Sequence, residues 1–118
     1  MAATVTPIHL SSSTSGRPIK VSATSSPGTL IHTAVSGSTS FDKIRLQAHN
    51  TSASSVVLTV QCGGTTSPDD SYVITIPAQS QTTTVIPDWR YNGAVEIRAF
   101  AATANVITIS GAVDRYVP

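Results

Sequence analysis

The chain has 118 residues, which suits one domain of about 100 to 200 residues and is too short for two. It contains 17 Ser, 17 Thr, 12 Val and 10 Ile against 4 Leu, 1 Met and 1 Glu, a composition that favours pleated sheet and excludes an all-helical bundle. Charged residues make up 11% of the chain, the net charge is +1, and no run of Lys or Arg occurs, so we expect no nucleic-acid partner.

The sequence lacks the usual signals of export, membrane insertion and covalent cross-linking. Residues 1–7 have neither the charged nor the apolar stretch of a signal peptide, and no later segment approaches the roughly 18 apolar residues of a membrane span. We therefore expect a soluble protein with no membrane partner. The single cysteine, Cys62, permits neither an internal disulfide nor a thiolate zinc cluster. Stability must then come from apolar burial and sheet hydrogen bonds.

Residues 1–28 are predicted to form an extended Ser/Thr-rich arm in front of the folded domain. Two polar tracts, residues 11–16 and 22–28, surround short apolar pieces at residues 8–10 and 19–21. Hydroxyl-rich tracts bury too little apolar surface to offset the entropy of ordering them. We expect the arm to be ordered only where it lies on another surface, and deletion of residues 1–26 to leave a folded domain. The alternative is a frayed terminus without a role.

Residues 29–118 are predicted to form the domain, because seven segments alternate between apolar and polar side chains with a period of two. The segments are residues 29–35, 41–49, 56–62, 72–76, 82–86, 94–101 and 105–110, the last leading on to 111–113. Pro77 and Pro87 are expected to end their strands, since proline has no amide proton for the ladder. Asn92-Gly93 indicates a turn.

Short alternating strands at near-regular spacing, with no helical segment between them, predict an antiparallel two-sheet β-sandwich of the immunoglobulin-like or jelly-roll type. One residue in two should then face the core. The expected inward residues are Ile31, Ile44, Leu46, Val56, Leu58, Val60, Ile74, Ile76, Val95, Ile97, Ile107 and Ile109.

The residue types needed for catalysis are present, but their spacing does not form a site. A hydrolytic triad needs a nucleophile, a base and a group that orients the base. His49 falls on an outward position, His9 lies in the arm, and His32 is interpreted as a structural histidine on an apolar face. Glu96 is the only glutamate, and no aspartate is expected in an apolar setting that would raise its pKa. We predict no enzymatic activity, no metal ion and no cofactor.

Trp89, Arg90 and Tyr91 stand in succession beside the predicted turn, and these residue types are enriched at binding hot spots. One interpretation is that Trp89 caps an end of the sandwich core. The other is that the three residues contact a neighbouring subunit or stack on a sugar. The alternation of residues 94–101 places the Phe100 side chain on the outward side of its strand, which makes it a second candidate for a subunit contact. The alternative is a twisted strand that is buried on both faces at this point.

A series of short motifs occurs in order along residues 29–115. They are TLIHTA at 29–34, LQAHNTS at 46–52, LTVQCGGTT at 58–66, PDD at 68–70, IPAQS at 76–80, NG at 92–93, RAFA at 98–101 and NVITISGAVDR at 105–115. This string resembles small β-sandwich structural proteins of tailed bacteriophages and is similar to head decoration (cement) proteins. The family brings no active site to this chain, and residues 1–28 match no part of it.

The resemblance implies a virion component that is assembled in the host cytoplasm and binds the exterior of the capsid in many copies, often as homotrimers. Its partners would be the major capsid protein and other copies of itself. We take Ile8, Leu10, Ile19 and Val21 as the residues by which the arm would contact a neighbouring subunit, by adding a strand to a sheet edge.

Two other functions stay open at this point. One is a neck or tail component of the same particle. The other is a carbohydrate-binding module that uses Trp89, Tyr91 and Tyr72 as stacking surfaces.

Overall fold

The computed structural model describes residues 4–64, 66, 69–79 and 82–118. Over these residues the chain is all β, and two antiparallel sheets pack face to face, which confirms the predicted β-sandwich. The strands are β1 (Thr4–Ile8), β2 (Ile19–Lys20), β3 (Thr29–Thr33), β4 (Phe41–Asn50), β5 (Val56–Cys62), β6 (Ser71–Ile76), β7 (Thr83–Tyr91), β8 (Glu96–Ala101) and β9 (Ile107–Val117).

One sheet has five strands and the other has four. The five-stranded sheet runs β1-β9-β4-β7, with β2 also paired to β9, and the four-stranded sheet runs β3-β8-β5-β6. Strand β9 lies inside the larger sheet, because β4 pairs with it along one side while β1 and β2 pair with it along the other. The sandwich therefore has four sheet edges, formed by β1 with β2, by β7, by β3 and by β6.

The core lies between the two sheets and consists mainly of β-branched residues. Ten of the twelve expected inward residues are buried, and Ile74 and Val95 are half-buried. Ile74 lies on the edge strand β6, which has a neighbouring strand on one side only. Alternation thus predicts the core well, since a strand with one face against a second sheet must place apolar groups at every other position.

The prediction that Pro87 ends its strand is wrong. Strand β7 continues through Pro87 to Tyr91, and the pairing with β4 shifts register between Leu46 and Ile44, opposite the proline. Because β7 is an edge strand, a missing amide proton and a local bulge are tolerated there. Pro77, in contrast, follows directly after the end of β6.

The arm packs on its own chain. Leu10, Ile19 and Val21, which sequence analysis assigned to contacts with a neighbour, are instead buried in the core that the two sheets share. Ile8 is half-buried against the same core. The physical reason is that β1 and β2 satisfy their backbone groups on β9, and the Val21 amide donates to the Ile107 carbonyl at 2.9 Å. The arm thus contributes to the same core as the two sheets.

Leu10→Ala should therefore destabilise the isolated protein. Leu10 is only 2% exposed, and truncating a buried leucine costs about 2 to 4 kcal/mol through lost apolar burial and the cavity left behind. The measurement is the free energy of unfolding in urea. Val5→Ala is the control, because Val5 lies on β1 of the same arm but is 48% exposed, and its loss should cost about 0.5 kcal/mol or less. Equal small effects of the two changes would mean that the arm is not part of the core.

Candidate interaction surface

A buried carboxylate lies where the arm and both sheets meet. Asp42 of β4 is fully buried, and Arg115 of β9 donates to it from Nε to Oδ1 at 2.7 Å and from Nη2 to Oδ2 at 2.9 Å. The backbone amide of Val35 also donates to Oδ2 at 3.1 Å. His32 of β3, which is 1% exposed, places Nε2 at 2.8 Å from the same oxygen. The carboxylate thus links the four-stranded sheet to two strands of the five-stranded sheet.

The arm joins this cluster through Ser11. The Ser11 amide donates to His32 Nδ1 at 3.0 Å, so Nδ1 carries no proton and Nε2 donates to Asp42. In a hydrolytic triad the serine hydroxyl gives its proton to the imidazole. Here the Ser11 hydroxyl oxygen instead accepts the Thr33 amide at 2.7 Å, and the imidazole is enclosed. The geometry fits a cross-link between segments and does not fit proton transfer to a substrate.

Two opposing effects act on the pKa of Asp42. Burial of the carboxyl works to raise it, whereas hydrogen bonds from Arg115 and His32 and the charge of Arg115 work to lower it. The pairing prevails, and the pKa lies below its ordinary value of 3.8. A carboxyl with a lowered pKa in the folded state stabilises that state above its unfolded pKa, and this contribution is lost as the pH falls through the folded value.

Sequence analysis missed this cluster, although half of its signal was present. In the alternating pattern of β4, Asp42 is on the same side as Ile44 and Leu46, so its side chain must face the core. A carboxylate in that position requires a buried donor. Which donors would reach it depends on how β3 and β9 pack around β4, and the spacing of residues along the chain does not contain that information.

Asp42→Asn should lower the free energy of unfolding by roughly 2 to 3 kcal/mol at pH 7, because Arg115 and His32 lose their anion. The deficit should be smaller at pH 3 than at pH 7, because below pH 3.8 the unfolded carboxyl takes up a proton before the folded one does, and this lowers the stability of the wild type. Urea denaturation at the two pH values measures both effects. The control is Asp88→Asn at an exposed ion pair, which should cost less than about 1 kcal/mol. A deficit of equal size at both pH values would contradict the assignment.

The structure places Trp89, Arg90 and Tyr91 at the end of strand β7, directly before the turn predicted at Asn92-Gly93. Their side chains therefore alternate. Trp89 and Tyr91 pack against the core, whereas Arg90 lies over the ring of Phe41 on the outer face of the sheet, 4.9 Å from its centroid. These residues do not form one contact point.

Trp89 covers the side of the sandwich between the two edge strands β6 and β7. Its ring lies 4.8 Å from that of Tyr72, with the two planes tilted by 42°. Burial raises the pKa of the Tyr91 hydroxyl and of the Cys62 thiol, so both groups stay protonated at neutral pH. Trp89 and Tyr72 thus lie against each other, and Tyr72 is still 44% exposed.

The outer face of the five-stranded sheet is charged. Three ion pairs cross it: Lys43 lies 3.1 Å from Asp88, and Arg45 lies 3.9 Å from Asp88 and 3.3 Å from Asp114. At the end of the same face, Phe41 stacks on Tyr116 with centroids 4.6 Å apart, beneath Arg90. Exposed pairs of this kind contribute little to stability, and they keep the face hydrated.

The outer face of the four-stranded sheet is different in character. We call it the valine face, and its residues are Val57, Thr59, Val73, Thr75 and Phe100. Thr59 pairs with Val73 on one side and with Phe100 on the other, so these three form one row across the sheet. Val57 is 42% exposed and Val73 is 68% exposed. None of the five residues is charged.

The charges nearest to the valine face are already engaged. Arg98, on the same side of β8 as Phe100, pairs with Glu96 at 3.0 Å and donates to the Gly28 carbonyl at 3.0 Å. Gln61, which would otherwise extend the face along β5, is covered by the segment that contains Ser26 and Gly28. The face is thus an apolar and hydroxyl surface with a polar boundary.

The predicted contact residues are therefore dispersed over the molecule. Three are in the core (Leu10, Ile19 and Val21), three are half-buried against it (Ile8, Trp89 and Tyr91), Arg90 is on the charged face, and Phe100 is on the valine face. Sequence reasoning missed Val57 and Val73. The signal was a β-branched apolar residue at an outward position on each of two adjacent strands.

In comparisons with known proteins, no family model, curated sequence or solved structure matches this chain. Within residues 4–64, 66, 69–79 and 82–118, no helix is long and apolar enough to cross a membrane. The same part of the chain holds no group of three or more His, Cys, Asp or Glu side chains that could bind a metal ion.

Proposed function

We propose that this chain is a non-enzymatic structural protein of a bacteriophage virion, namely a capsid decoration (cement) protein. It binds the exterior of the head and bridges subunits of the major capsid protein. The observation that carries the proposal is the valine face, an exposed and uncharged surface on a domain whose opposite face is covered by ion pairs.

The contrast between the two faces supports docking through the valine face. The centres of protein interfaces are depleted of charged residues, because each charge must be stripped of water when the surfaces meet. Val57, Val73 and Phe100 can be covered at no such cost, and Phe100 supplies the aromatic group that commonly anchors an interface. The charged face would then stay in contact with water on the outside of the particle.

The resemblance of the motifs along residues 29–115 to head decoration proteins points to the same role. Many copies on one shell act in parallel, so contacts of modest individual affinity add up to a large stabilisation through effective concentration. The partners are the major capsid protein and other copies of this chain, which are arranged as homotrimers on the capsid in the manner that the resemblance implies. No nucleic acid, membrane, metal or cofactor takes part.

A charge placed on the valine face should prevent binding to capsids. Val57→Asp adds a carboxylate that has no partner in the interface, and should weaken co-sedimentation with purified heads roughly tenfold or more. Val5→Asp is the matched control, since Val5 is about as exposed but lies on the other sheet. Both variants should be monitored for folding by circular dichroism. Equal retention of the two variants on heads would count against the valine face as the docking surface.

The copy number in purified particles tests the role itself. A decoration protein covers the shell and should be present in hundreds of copies, whereas a neck or tail piece forms a closed ring of about a dozen copies or fewer. Quantitative mass spectrometry against the major capsid protein gives this ratio. A low count would assign the chain to the neck or tail, and its absence from particles would overturn the virion role.

A further inference from the structure

Three of the four sheet edges carry features that oppose the addition of another strand. Strand β1 contains Pro7, which has no amide proton, and β2 is only two residues long. Strand β7 contains Pro87 and is bulged against β4. The edge of β3 is covered by the arm, because the Ser12 amide donates to the Ile31 carbonyl at 3.2 Å.

The fourth edge, β6, carries none of these features. Ser71–Ile76 contains no proline and no charged side chain, and it pairs with β5 through six consecutive residue pairs without a bulge. In the part of the chain that the structure describes, no second strand pairs with β6 on its outer side. A regular, uncharged edge of this kind is a template for another extended backbone.

The pairing of β6 with β5 fixes which of its backbone groups face outward. The Cys62 amide donates to the Asp70 carbonyl at 2.7 Å, and hydrogen-bonded pairs recur at every second position along an antiparallel ladder. Tyr72, Ile74 and Ile76 therefore direct their amide and carbonyl groups toward β5. Ser71, Val73 and Thr75 direct theirs away from the sheet.

We propose that β6 pairs with β6 of a second copy of this chain, forming an antiparallel dimer about a two-fold axis. A second β6 is the partner that the fold favours, because the other edges of the same chain are blocked. The strand carries no charge, so bringing it against itself causes no like-charge repulsion. A backbone partner also explains why Val73, at the centre of this edge, is the most exposed large apolar residue described.

One register uses every outward backbone group. With Val73 opposite Val73 of the second copy, Ser71 stands opposite Thr75, and all amide and carbonyl groups of these residues find partners. On the outer face of the sheet, the two Val73 side chains then form a pair, and a Ser71–Thr75 pair flanks it on each side. Since the axis is perpendicular to the sheet, two four-stranded sheets become one and both valine faces lie on the same side.

This dimer is independent of the proposed virion role and has a symmetry different from the trimers that the resemblance implies. It can be tested with the purified full-length chain. Sedimentation equilibrium over a range of concentrations should show a reversible monomer and dimer. A chain that stays monomeric at millimolar concentration, or a trimer unaffected by changes in β6, would overturn the proposal.

The decisive variant is Val73→Pro, with Val73→Thr as its matched control. The proline removes an outward amide proton without breaking the ladder to β5, and should weaken dimerisation tenfold or more, whereas threonine keeps the amide and should dimerise like the wild type. If the proline variant does not fold, Val73→Lys replaces it, since two ammonium groups would then meet at the axis. Dimerisation of a folded proline or lysine variant with wild-type affinity would overturn the proposal.

Hydrogen exchange provides a second readout that distinguishes pairing of backbones from contact between side chains. The amides of Ser71, Val73 and Thr75 should exchange more slowly as the protein concentration rises, while that of Val5 on the blocked β1 edge should not change. Protection that does not depend on concentration, or a dimer in which these three amides exchange as in the monomer, would refute strand pairing at this edge.

Discussion

The structure depends on the full pairing of one buried charge. Asp42 lies on a strand of the five-stranded sheet, yet its partners are His32 in the opposite sheet and Arg115 on the neighbouring strand. Through His32 the same network reaches the arm at Ser11. An unpaired carboxylate in this place would cost several kcal/mol, so the positions of the arm, the two sheets and the end of β9 are fixed together. The cluster thus specifies how the parts assemble as well as stabilising them.

Much of the fold could be predicted from the sequence because alternation is a local property. The segment at residues 41–49 and the segment at residues 56–62 both have the expected strands and the expected buried faces. The continuation of β7 through Pro87 could not be predicted, since proline is tolerated only because that strand lies at an edge. The same holds for Leu10 and Val21, whose burial depends on a strand formed near the other end of the sequence.

Only part of the valine face could be predicted from the sequence, because its character depends on packing between distant segments as well as on local alternation. The alternating pattern predicts that the side chains of Val57 and Val73 face away from the core. A hairpin connection makes their strands, β5 and β6, neighbours in the sheet. The sequence does not show that the ion pairs lie on the outer face of the other sheet. It therefore does not show that the two outer faces differ in charge. At residues 89–91 three hot-spot residue types stand together in the sequence, but a strand turns consecutive side chains to opposite faces, so Arg90 lies on the charged face while Trp89 and Tyr91 pack against the core.

The place of β9 inside the larger sheet has a consequence for biosynthesis. Strands β1, β2 and β4 all find their backbone partners on residues 107–117, so that sheet cannot close until this segment has left the ribosome. Until then the apolar side of β4 has no complete sheet around it, and contacts between residues so distant in sequence form slowly. Nascent chains of this protein should consequently depend on chaperones during synthesis more than a helical domain of equal length would.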